Sequence, residues 1–237
     1  SRNWNEDSVS GRLGFVYDLS DTTAFYGQYT TGVEHPSGTV VTFGGNFVES
    51  ELVESEQVEL GIKNSVEGTG LVWSFAFFDI KRNNLVIDDP TSGNPDDVII
   101  IDQQTSAGFE AGLNYALSDR FQLHANFVVL DAKTDTGEVP RDVPETTWNA
   151  GFAWEATNDI RLVTDVRYVD DRSLGSTAMP SYTVLDASLH YAMNDDVNLI
   201  LKAENLNDEL YAFGSYWSGT WLVGKPRTFS VAADLRF

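Results

Sequence analysis

The chain has 237 residues, no cysteine, and a net charge of −21 from 15 basic and 36 acidic side chains. This charge excludes binding to nucleic acid through its phosphates, and the lack of cysteine excludes disulfides, thiolate metal sites and a cysteine nucleophile. With a mean hydropathy of −0.22 and no run near the ~20 apolar residues of a spanning helix, a helical membrane protein is excluded too, whereas a β-barrel is not.

Apolar and polar residues alternate with a period of two along most of the chain, which predicts about eleven strands and no helix. In the segment 121–129, for example, the odd-numbered residues are all apolar, and Gln122, His124 and Asn126 stand between them. The predicted strands, in chain order, lie near 8–18, 22–32, 55–66, 70–87, 98–117, 121–133, 145–156, 160–170, 181–192, 197–206 and 226–237.

The connections between these strands alternate in length. Short turns are predicted near residues 19–21, 67–69, 118–120, 157–159 and 194–196. Long loops are predicted at 33–54, 88–97, 134–144, 171–180 and 207–225. Tight periplasmic turns and long extracellular loops are typical of an outer-membrane barrel. The pattern therefore predicts an all-β, antiparallel transmembrane barrel.

The polar face of each strand is expected to line a hydrated lumen, because a charge that points into lipid costs about 2–4 kcal/mol at the midplane. A packed small barrel with an apolar interior closes at ~8 strands, fewer than predicted here. The residues expected to point into the lumen are Arg12, Glu59, Lys63, Glu110, Asn114, His124, Asn126, Asn149, Asp165, Arg167, His190, Lys202, Glu204, Asp234 and Arg236.

Aromatic residues cluster on the apolar face beside the short turns, where they are expected to form a girdle at one membrane interface. The simpler interpretation is the general preference of aromatic residues for strands. The predicted girdle consists of Tyr17, Tyr26, Tyr115, Phe121, Trp154, Tyr191 and Phe237.

An odd number of strands has a consequence for closure. The first strand is expected to begin outside and the last to end in the periplasm, so joining them would make a parallel seam, which bacterial single-chain barrels avoid. Open edges are not tolerated in lipid. We therefore expect an incomplete barrel, half of one with about 22 strands, the size of plugged transporters.

Several motifs, in order along the whole chain, resemble the C-terminal region of TonB-dependent outer-membrane receptors, chiefly the ferric-siderophore group. They are Val53-Glu54-Ser55-Glu56-Gln57-Val58-Glu59-Leu60-Gly61-Ile62-Lys63, Phe77-Phe78-Asp79-Ile80-Lys81-Arg82-Asn83-Asn84-Leu85, Val139-Pro140-Arg141-Asp142-Val143-Pro144, Tyr182-Thr183-Val184-Leu185-Asp186, Glu204-Asn205-Leu206-Asn207-Asp208-Glu209-Leu210-Tyr211, and Gly224-Lys225-Pro226-Arg227-Thr228-Phe229 with a terminal Phe237.

The resemblance implies that residues 1–237 are the C-terminal portion of the receptor barrel, without the plug domain and the N-terminal half of the barrel. It implies import of a ferric siderophore across the outer membrane of a Gram-negative bacterium, and no catalysis. The implied partners are the ferric chelate, the lipid bilayer, the TonB–ExbB–ExbD energy-coupling complex through the plug, and the barrel-assembly machinery through the last strand. No tightly bound cofactor is expected.

Two groups of residues are candidates for specific roles. Exposed rings on a glycine-containing extracellular loop suit a compact, partly aromatic chelate, although loop packing or interface anchoring explains them as well. The ligand candidates are His35, Tyr211, Phe213, Tyr216, Trp217 and Trp221. Pro226 and Arg227 are expected to anchor the start of the last strand, and Phe237 resembles the family's C-terminal assembly signal.

Other functions remain open at this point. A porin-like channel or structural barrel would lack a plug, a receptor could carry cobalamin or haem, and a soluble β-sandwich could bind ligands with its loops. The three histidines are dispersed, and acidic pairs such as Asp170-Asp171 are more typical of solvated loops than of Ca²⁺ sites. The negative charge fits either a strongly hydrated surface or acidic outer loops that attract cations.

Overall fold

The computed structural model describes residues 8–34, 52–88, 98–174, 177–217 and 220–236. Within these ranges the chain forms strands connected by turns. No helix in the described ranges is long and apolar enough to cross a membrane. The strands are β1 (Gly11–Ser20), β2 (Thr23–Glu34), β3 (Val53–Val66), β4 (Leu71–Asp88), β5 (Val98–Ser118), β6 (Phe121–Thr134), β7 (Thr146–Glu155), β8 (Ile160–Val169), β9 (Arg172–Leu174), β10 (Thr177–Met179), β11 (Tyr182–Asn194), β12 (Val197–Glu204), β13 (Ala212–Trp217), β14 (Thr220–Val223) and β15 (Thr228–Leu235).

Eleven of these strands form one antiparallel sheet in the order β1-β2-β3-β4-β5-β6-β7-β8-β11-β12-β15. This confirms the predicted class and number of main strands. The sequence predicts long loops at 171–180 and 207–225. This prediction is wrong for part of each segment, because β9–β10 forms a hairpin in the first and β13–β14 forms a hairpin in the second. These strands have only three to six residues, too few for a period of two to stand out.

The register aligns the apolar residues of neighbouring strands into continuous rows. Direct cross-strand partners point to the same face of a sheet, so each row identifies one face. One row consists of Phe15, Gly27, Leu60, Phe77, Phe109 and Val129. The row two residues closer to the short turns consists of Tyr17, Phe25, Ile62, Phe75, Ala111, Phe127, Trp148 and Tyr168.

This apolar face is exposed rather than covered by a second layer. Phe75 is 44% exposed, Phe109 47% and Phe127 44%, although their neighbours are also apolar. A large continuous apolar surface of this kind marks contact with a membrane or a partner. The soluble sandwich expected as an alternative would bury this face, and the described residues contain no second sheet of comparable size.

On β4 and β6 the outward face changes from apolar to charged at one row of the register. In β5 the outward residues are apolar throughout 109–117, which matches the ~9–11 residues that a tilted strand needs to cross a bilayer. On the far side of the Phe77–Phe109–Val129 row, Asp79 and Asp131 follow in the next outward row. These carboxylates therefore mark the extracellular boundary of the apolar band.

The predicted aromatic girdle is wrong at one residue, Tyr26. Tyr26 is paired with Val16 and Gly61, which puts its ring on the lumen face, and the Nζ of Lys63 lies 4.7 Å from the ring centroid. Its neighbour Phe25 takes the outward position instead. Two consecutive aromatic residues point to opposite faces, and only the register with β1 decides which of them meets lipid.

The other described girdle residues occupy outward rows near the short turns. Phe237 lies outside the described residues. The confirmed members are Tyr17, Tyr115, Phe121, Trp154 and Tyr191.

The sheet is open at β1 and β15. Because every neighbouring pair is antiparallel, the first and last strands of this eleven-stranded sheet run in the same direction. Pairing them with each other would create a parallel seam, as the sequence predicts. Both strands have an outer edge with no strand partner among the described residues.

The two faces predict opposite responses to an added charge. Leu113→Arg places a guanidinium on the outward face, and we expect the free energy of unfolding to fall by about 2–4 kcal/mol. Asn114→Arg, one residue further on the lumen face, should change it little. Denaturant titration of the barrel reconstituted in lipid vesicles measures both. Equal losses for the two variants would contradict the assigned faces.

Candidate functional site: the lumen face and the extracellular rim

The lumen face carries a hydrogen-bonded group near its β2–β3 end. The Nε2 of Gln28 donates to Oε2 of Glu59 over 2.6 Å, and the Nε2 of Gln57 donates to the same oxygen over 3.1 Å. Tyr26 lies between this carboxylate and Lys63, over Gly61, where a Cβ would be 2.4 Å from the ring. The predicted lumen residues Glu59 and Lys63 are thus brought together by the tyrosine.

A second polar contact crosses three strands. The Nε2 of His124 on β6 lies 3.0 Å from Oδ2 of Asp165 on β8, and Gly151 of β7 stands between them in the register. A Cβ on Gly151 would lie 2.1 Å from the carbonyl oxygen of Thr164 and 2.7 Å from the His124 ring. Only glycine lets the imidazole pass over β7. Both side chains remain partly exposed on this face.

The remaining predicted lumen residues of the sheet lie on the same polar face. Asn126, Asn149 and Arg167 form one row across β6, β7 and β8. His190 lies opposite Arg161, and its Nε2 is 3.2 Å from Oγ of Ser188. Within the described residues, no group of three or more His, Asp and Glu side chains is placed to hold a metal ion. The others on this face are Arg12, Glu110, Asn114, Lys202, Glu204 and Asp234; Arg236 follows β15.

A buried asparagine closes the turn where β12 leaves the sheet. Asn205 is 1% exposed and has a φ of 52°. Its Nδ2 donates to the carbonyl oxygens of Glu209 (2.8 Å) and Lys225 (2.9 Å), and its Oδ1 accepts from the Glu209 amide (2.8 Å). Its own amide donates to Oδ1 of Asp186. Asparagine tolerates the left-handed region and bonds nearby backbone, which explains this residue type here.

The next asparagine in the motif satisfies the end of β11. The Nδ2 of Asn207 donates to the Thr183 carbonyl over 2.7 Å, and its Oδ1 accepts from the Leu185 amide over 3.0 Å. The backbone pairing of β12 with β11 begins only at Ala187. The carboxamide therefore replaces the peptide group that a longer β12 would have offered.

The residues predicted to anchor the last strand lie beside this turn. Pro226 precedes β15, and the Oγ1 of Thr228 donates to its carbonyl oxygen over 2.8 Å. The Nη2 of Arg227 donates to Oδ2 of Asp208 over 2.9 Å. An exposed pair of this kind contributes about 0–1 kcal/mol, so it orients more than it stabilises.

The predicted ligand-binding rings fall into separate environments. Phe213 is 55% exposed and Trp221 is 45% exposed on the β13–β14 hairpin. Tyr211 packs instead against Tyr182, with ring centroids 4.6 Å apart. The side chains of Tyr216 and Trp217, and all of His35, lie outside the described parts of the structure.

The sequence pattern does not identify Arg172, a buried residue at the extracellular rim, where the long connections leave the sheet. Its side chain is only 4% exposed, and its Nε donates to Oδ1 of Asp142 over 2.6 Å. In the sequence it is one charged residue in a predicted loop, and its partners lie 30 and 40 positions away. The one local signal for this contact is the motif that contains Asp142, which resembles the family's loop before a strand.

The chain matches a known protein family along most of its length. A family model described as TonB dependent receptor-like, beta-barrel, matches residues 1–206. The chain is 23% identical to the probable TonB-dependent siderophore receptor PiuA of Acinetobacter baumannii, over 98% of this chain and 34% of the relative. It is 23% identical to the metal-pseudopaline receptor CntO of Pseudomonas aeruginosa, over 97% of this chain and 34% of the relative.

The fold is similar to that of a solved structure as well. The crystal structure of the ferric-catecholate import receptor Fiu from Escherichia coli K12, in its closed form, superimposes with a TM-score of 0.79 at 21% identity, over 96% of this chain and 35% of that chain. The chain therefore spans about a third of the length of the relatives that it matches.

Gly151 offers a test of the lumen contact. We expect Gly151→Ala to lower the free energy of unfolding by about 1–3 kcal/mol, because the new Cβ meets backbone that cannot move away. Gly112→Ala on the same face is a matched control, since its Cβ would meet side-chain atoms instead of backbone: the Ser74 hydroxyl at 3.0 Å, which can rotate, and Oδ1 of Asn126 at 3.5 Å, an ordinary contact. Denaturant unfolding in vesicles compares them, and equal effects would contradict the steric explanation.

Asn205 offers a test of the turn. Asn205→Gly keeps the positive φ but removes the side-chain hydrogen bonds, and we expect a loss of about 2–4 kcal/mol because buried carbonyl and amide groups lose their partners. Asn207→Ala removes exposed hydrogen bonds and should cost about 0.5–1.5 kcal/mol. The same unfolding assay ranks the two, and a larger loss for Asn207→Ala would refute the role given to burial.

Proposed function

This chain belongs to the TonB-dependent receptor-like β-barrel family of the Gram-negative outer membrane, and we propose that it forms the C-terminal part of a receptor that imports a ferric siderophore or a similar iron chelate. The observation that carries the proposal is the division of one eleven-stranded sheet into an exposed apolar face and a polar face rich in hydrogen-bonding groups. Such a wall separates lipid from an aqueous passage. The proposed role is transport, not catalysis.

The sheet edges support a barrel completed by further strands. β1 and β15 run in the same direction, so an antiparallel closure needs an odd number of additional strands between them. Eleven more would give about 22, the size of plugged outer-membrane transporters. A plug domain in that lumen would meet the polar rows that contain Glu59, His124 and Arg167.

The exposed rings of the β13–β14 hairpin are the proposed chelate contacts. Phe213 and Trp221 expose apolar area at the extracellular end of the sheet, where rings suit a compact and partly aromatic ligand. Tyr216 and Trp217 on the same hairpin, and His35 in the connection after β2, are part of the proposal. Tyr211 takes part in the proposed site indirectly, because it packs on Tyr182 at the base of the β13–β14 hairpin.

Energy and assembly require partners outside this chain. We propose that the TonB–ExbB–ExbD complex supplies the energy for transport through a plug domain. The barrel wall then needs no nucleotide-binding site of its own. The barrel-assembly machinery would read the last strand together with Phe237. No resident cofactor is part of the proposal, and the metal arrives as substrate within its chelate.

A chelate of another metal is the second candidate. The relative CntO is named for metal-pseudopaline rather than for a ferric siderophore. The two candidates share a receptor mechanism and differ only in the ligand recognised by the loops and the plug.

Uptake in cells tests the proposed function. Deletion of the gene that encodes this chain should abolish uptake of at least one radiolabelled chelate from a panel of ferric siderophores and a nickel, cobalt and zinc metallophore set. Restoration by the intact gene is the control. Unchanged uptake of every member of the panel would overturn the proposal, and loss confined to non-iron chelates would select the second candidate.

The ring contacts give a quantitative prediction. We expect Trp221→Ala and Phe213→Ala each to weaken equilibrium binding of the transported chelate to whole cells by about 5–30-fold, which corresponds to about 1–2 kcal/mol of aromatic contact. Leu210→Ala is the matched control, because Leu210 is an apolar side chain of the same connection that is 83% exposed. An equal loss for all three variants would contradict a specific role for the rings.

A further inference from the structure

Arg172 lies where three extracellular connections and the head of β11 meet. It begins β9 and pairs in the β9–β10 hairpin with Met179, which is 0% exposed. Its guanidinium lies over the ring of Tyr182, 5.9 Å from Cζ to the centroid. A charged side chain this deeply buried costs free energy unless it is paired, so its contacts identify what it does.

The first contact ties the β9–β10 hairpin to the connection between β6 and β7. The Nε of Arg172 donates to Oδ1 of Asp142, and the Asp142 amide donates to the Ser173 carbonyl over 2.8 Å. Asp142 has a φ of 58°, a conformation that costs a residue with a side chain about 1 kcal/mol or more. Contacts to two consecutive residues of β9 hold it there.

The second contact ties the same arginine to the connection between β12 and β15. The Nη2 of Arg172 donates to the carbonyl oxygen of Ala212 over 3.3 Å. Ala212 is the first residue of the β13–β14 hairpin, which carries Phe213 and Trp221 and is called the ring-bearing hairpin below. Ala212 is 3% exposed, so this bond is protected from water. A single planar side chain therefore connects residues 142 and 212, which lie in different connections.

Aromatic packing extends the junction to both strands at the base of the β13–β14 hairpin. Tyr182 packs on Tyr211 with centroids 4.6 Å apart. Tyr211 in turn packs on Gly224, where a Cβ would be 2.0 Å from Cζ of the ring, and the Gly224 amide donates to the Tyr211 carbonyl over 2.8 Å. Because Tyr182 is on the lumen face of β11, the start of this connection lies against the lumen side of the wall.

The junction is not optimised for stability. Nη1 of Arg172 is buried and has no hydrogen-bond partner among the described residues. A buried donor without a partner costs about 1–3 kcal/mol, and an apolar side chain would often serve stability as well as a buried ion pair does. What an apolar side chain could not supply is the fixed fork of donors that reaches Asp142 and Ala212 at once.

We propose that Arg172 is a positioning residue that makes three extracellular connections move as one unit and thereby sets the place of the ring-bearing hairpin at the rim. The connections are 135–145, the β9–β10 hairpin and residues 205–227. Loss of the guanidinium removes one contact from each connection at once, because the same side chain bonds Asp142 and Ala212 and belongs to the β9–β10 hairpin. The effect on chelate binding rests on the proposed function, whereas the mechanical joining does not.

Hydrogen–deuterium exchange on the receptor purified from outer membranes tests the joining. Arg172→Gln removes the charge and the fork, and we expect exchange near residues 139–143, 177–182 and 211–214 to rise by about tenfold or more in each segment. Arg172→Lys keeps the charge with one donor group, so its rise should be smaller. Asp142→Asn should free residues 139–143 and the β9–β10 hairpin first.

Arg161→Gln is the matched control, because Arg161 forms an ion pair with Glu155 beside the short turn at the opposite end of the sheet. A rise confined to the β9–β10 hairpin in Arg172→Gln, or the same rim pattern in Arg161→Gln, would overturn the proposal. Heat-modifiable electrophoretic mobility checks barrel assembly. If Arg172→Gln does not assemble, Arg172→Lys and Asp142→Asn decide: exchange at 211–214 unchanged in both refutes the joining.

Chelate binding by the same variants separates this inference from the proposed function. If the wild-type receptor binds a chelate, Arg172→Gln should weaken that binding as the single ring substitutions do, with Arg172→Lys restoring part of it. If the wild-type receptor binds none, the proposed function fails, and the exchange pattern still decides whether Arg172 joins the three connections.

Discussion

The backbone hydrogen-bond ladder is the constraint on which the rest of this structure depends. Lipid offers no partner for an N–H or C=O group, so each strand within the membrane must be satisfied by its neighbours. The antiparallel order from β1 to β15 provides this in an unbroken series. Once the ladder fixes the register, alternate side chains fall into outward and inward rows. The apolar band and the polar lumen face are therefore two consequences of one pairing.

The rim shows what replaces the ladder where strands end at different heights. β11 begins before its pairing with β12 does, and the carboxamide of Asn207 bonds the exposed peptide groups of Thr183 and Leu185. Asn205 then turns the chain with its own side chain, and Arg172 joins connections that share no backbone ladder. Side chains with several donors or acceptors in a fixed plane serve in all three places, because each must stand in for more than one backbone partner.

The sequence predicts those features that repeat locally. Alternation in segments such as 121–129 predicts the strands and their two faces. The lengths of the connections predict which end of the sheet is periplasmic. Both features depend only on residues that are close together in the sequence. It does not predict that Phe25 rather than Tyr26 faces lipid, since that depends on pairing with β1. It also misses Arg172, whose partners are distant in sequence. In the candidate ring site, the exposure of Phe213 and Trp221 agrees with the sequence pattern. The packing of Tyr211 on Tyr182 does not follow from that pattern, because the two residues are distant in sequence.

The assignment of the two faces is the central claim, and single cysteines along β6 test it most directly, because the chain has no cysteine of its own. Each position from 121 to 129 would be replaced in turn, and its reaction in outer membranes with a water-soluble maleimide would be compared with its reaction with an apolar maleimide that partitions into lipid. Odd-numbered positions should react with the apolar reagent and resist the water-soluble one, and even-numbered positions should react with the water-soluble one. Uniform labelling along the strand, or the opposite alternation, would contradict the account.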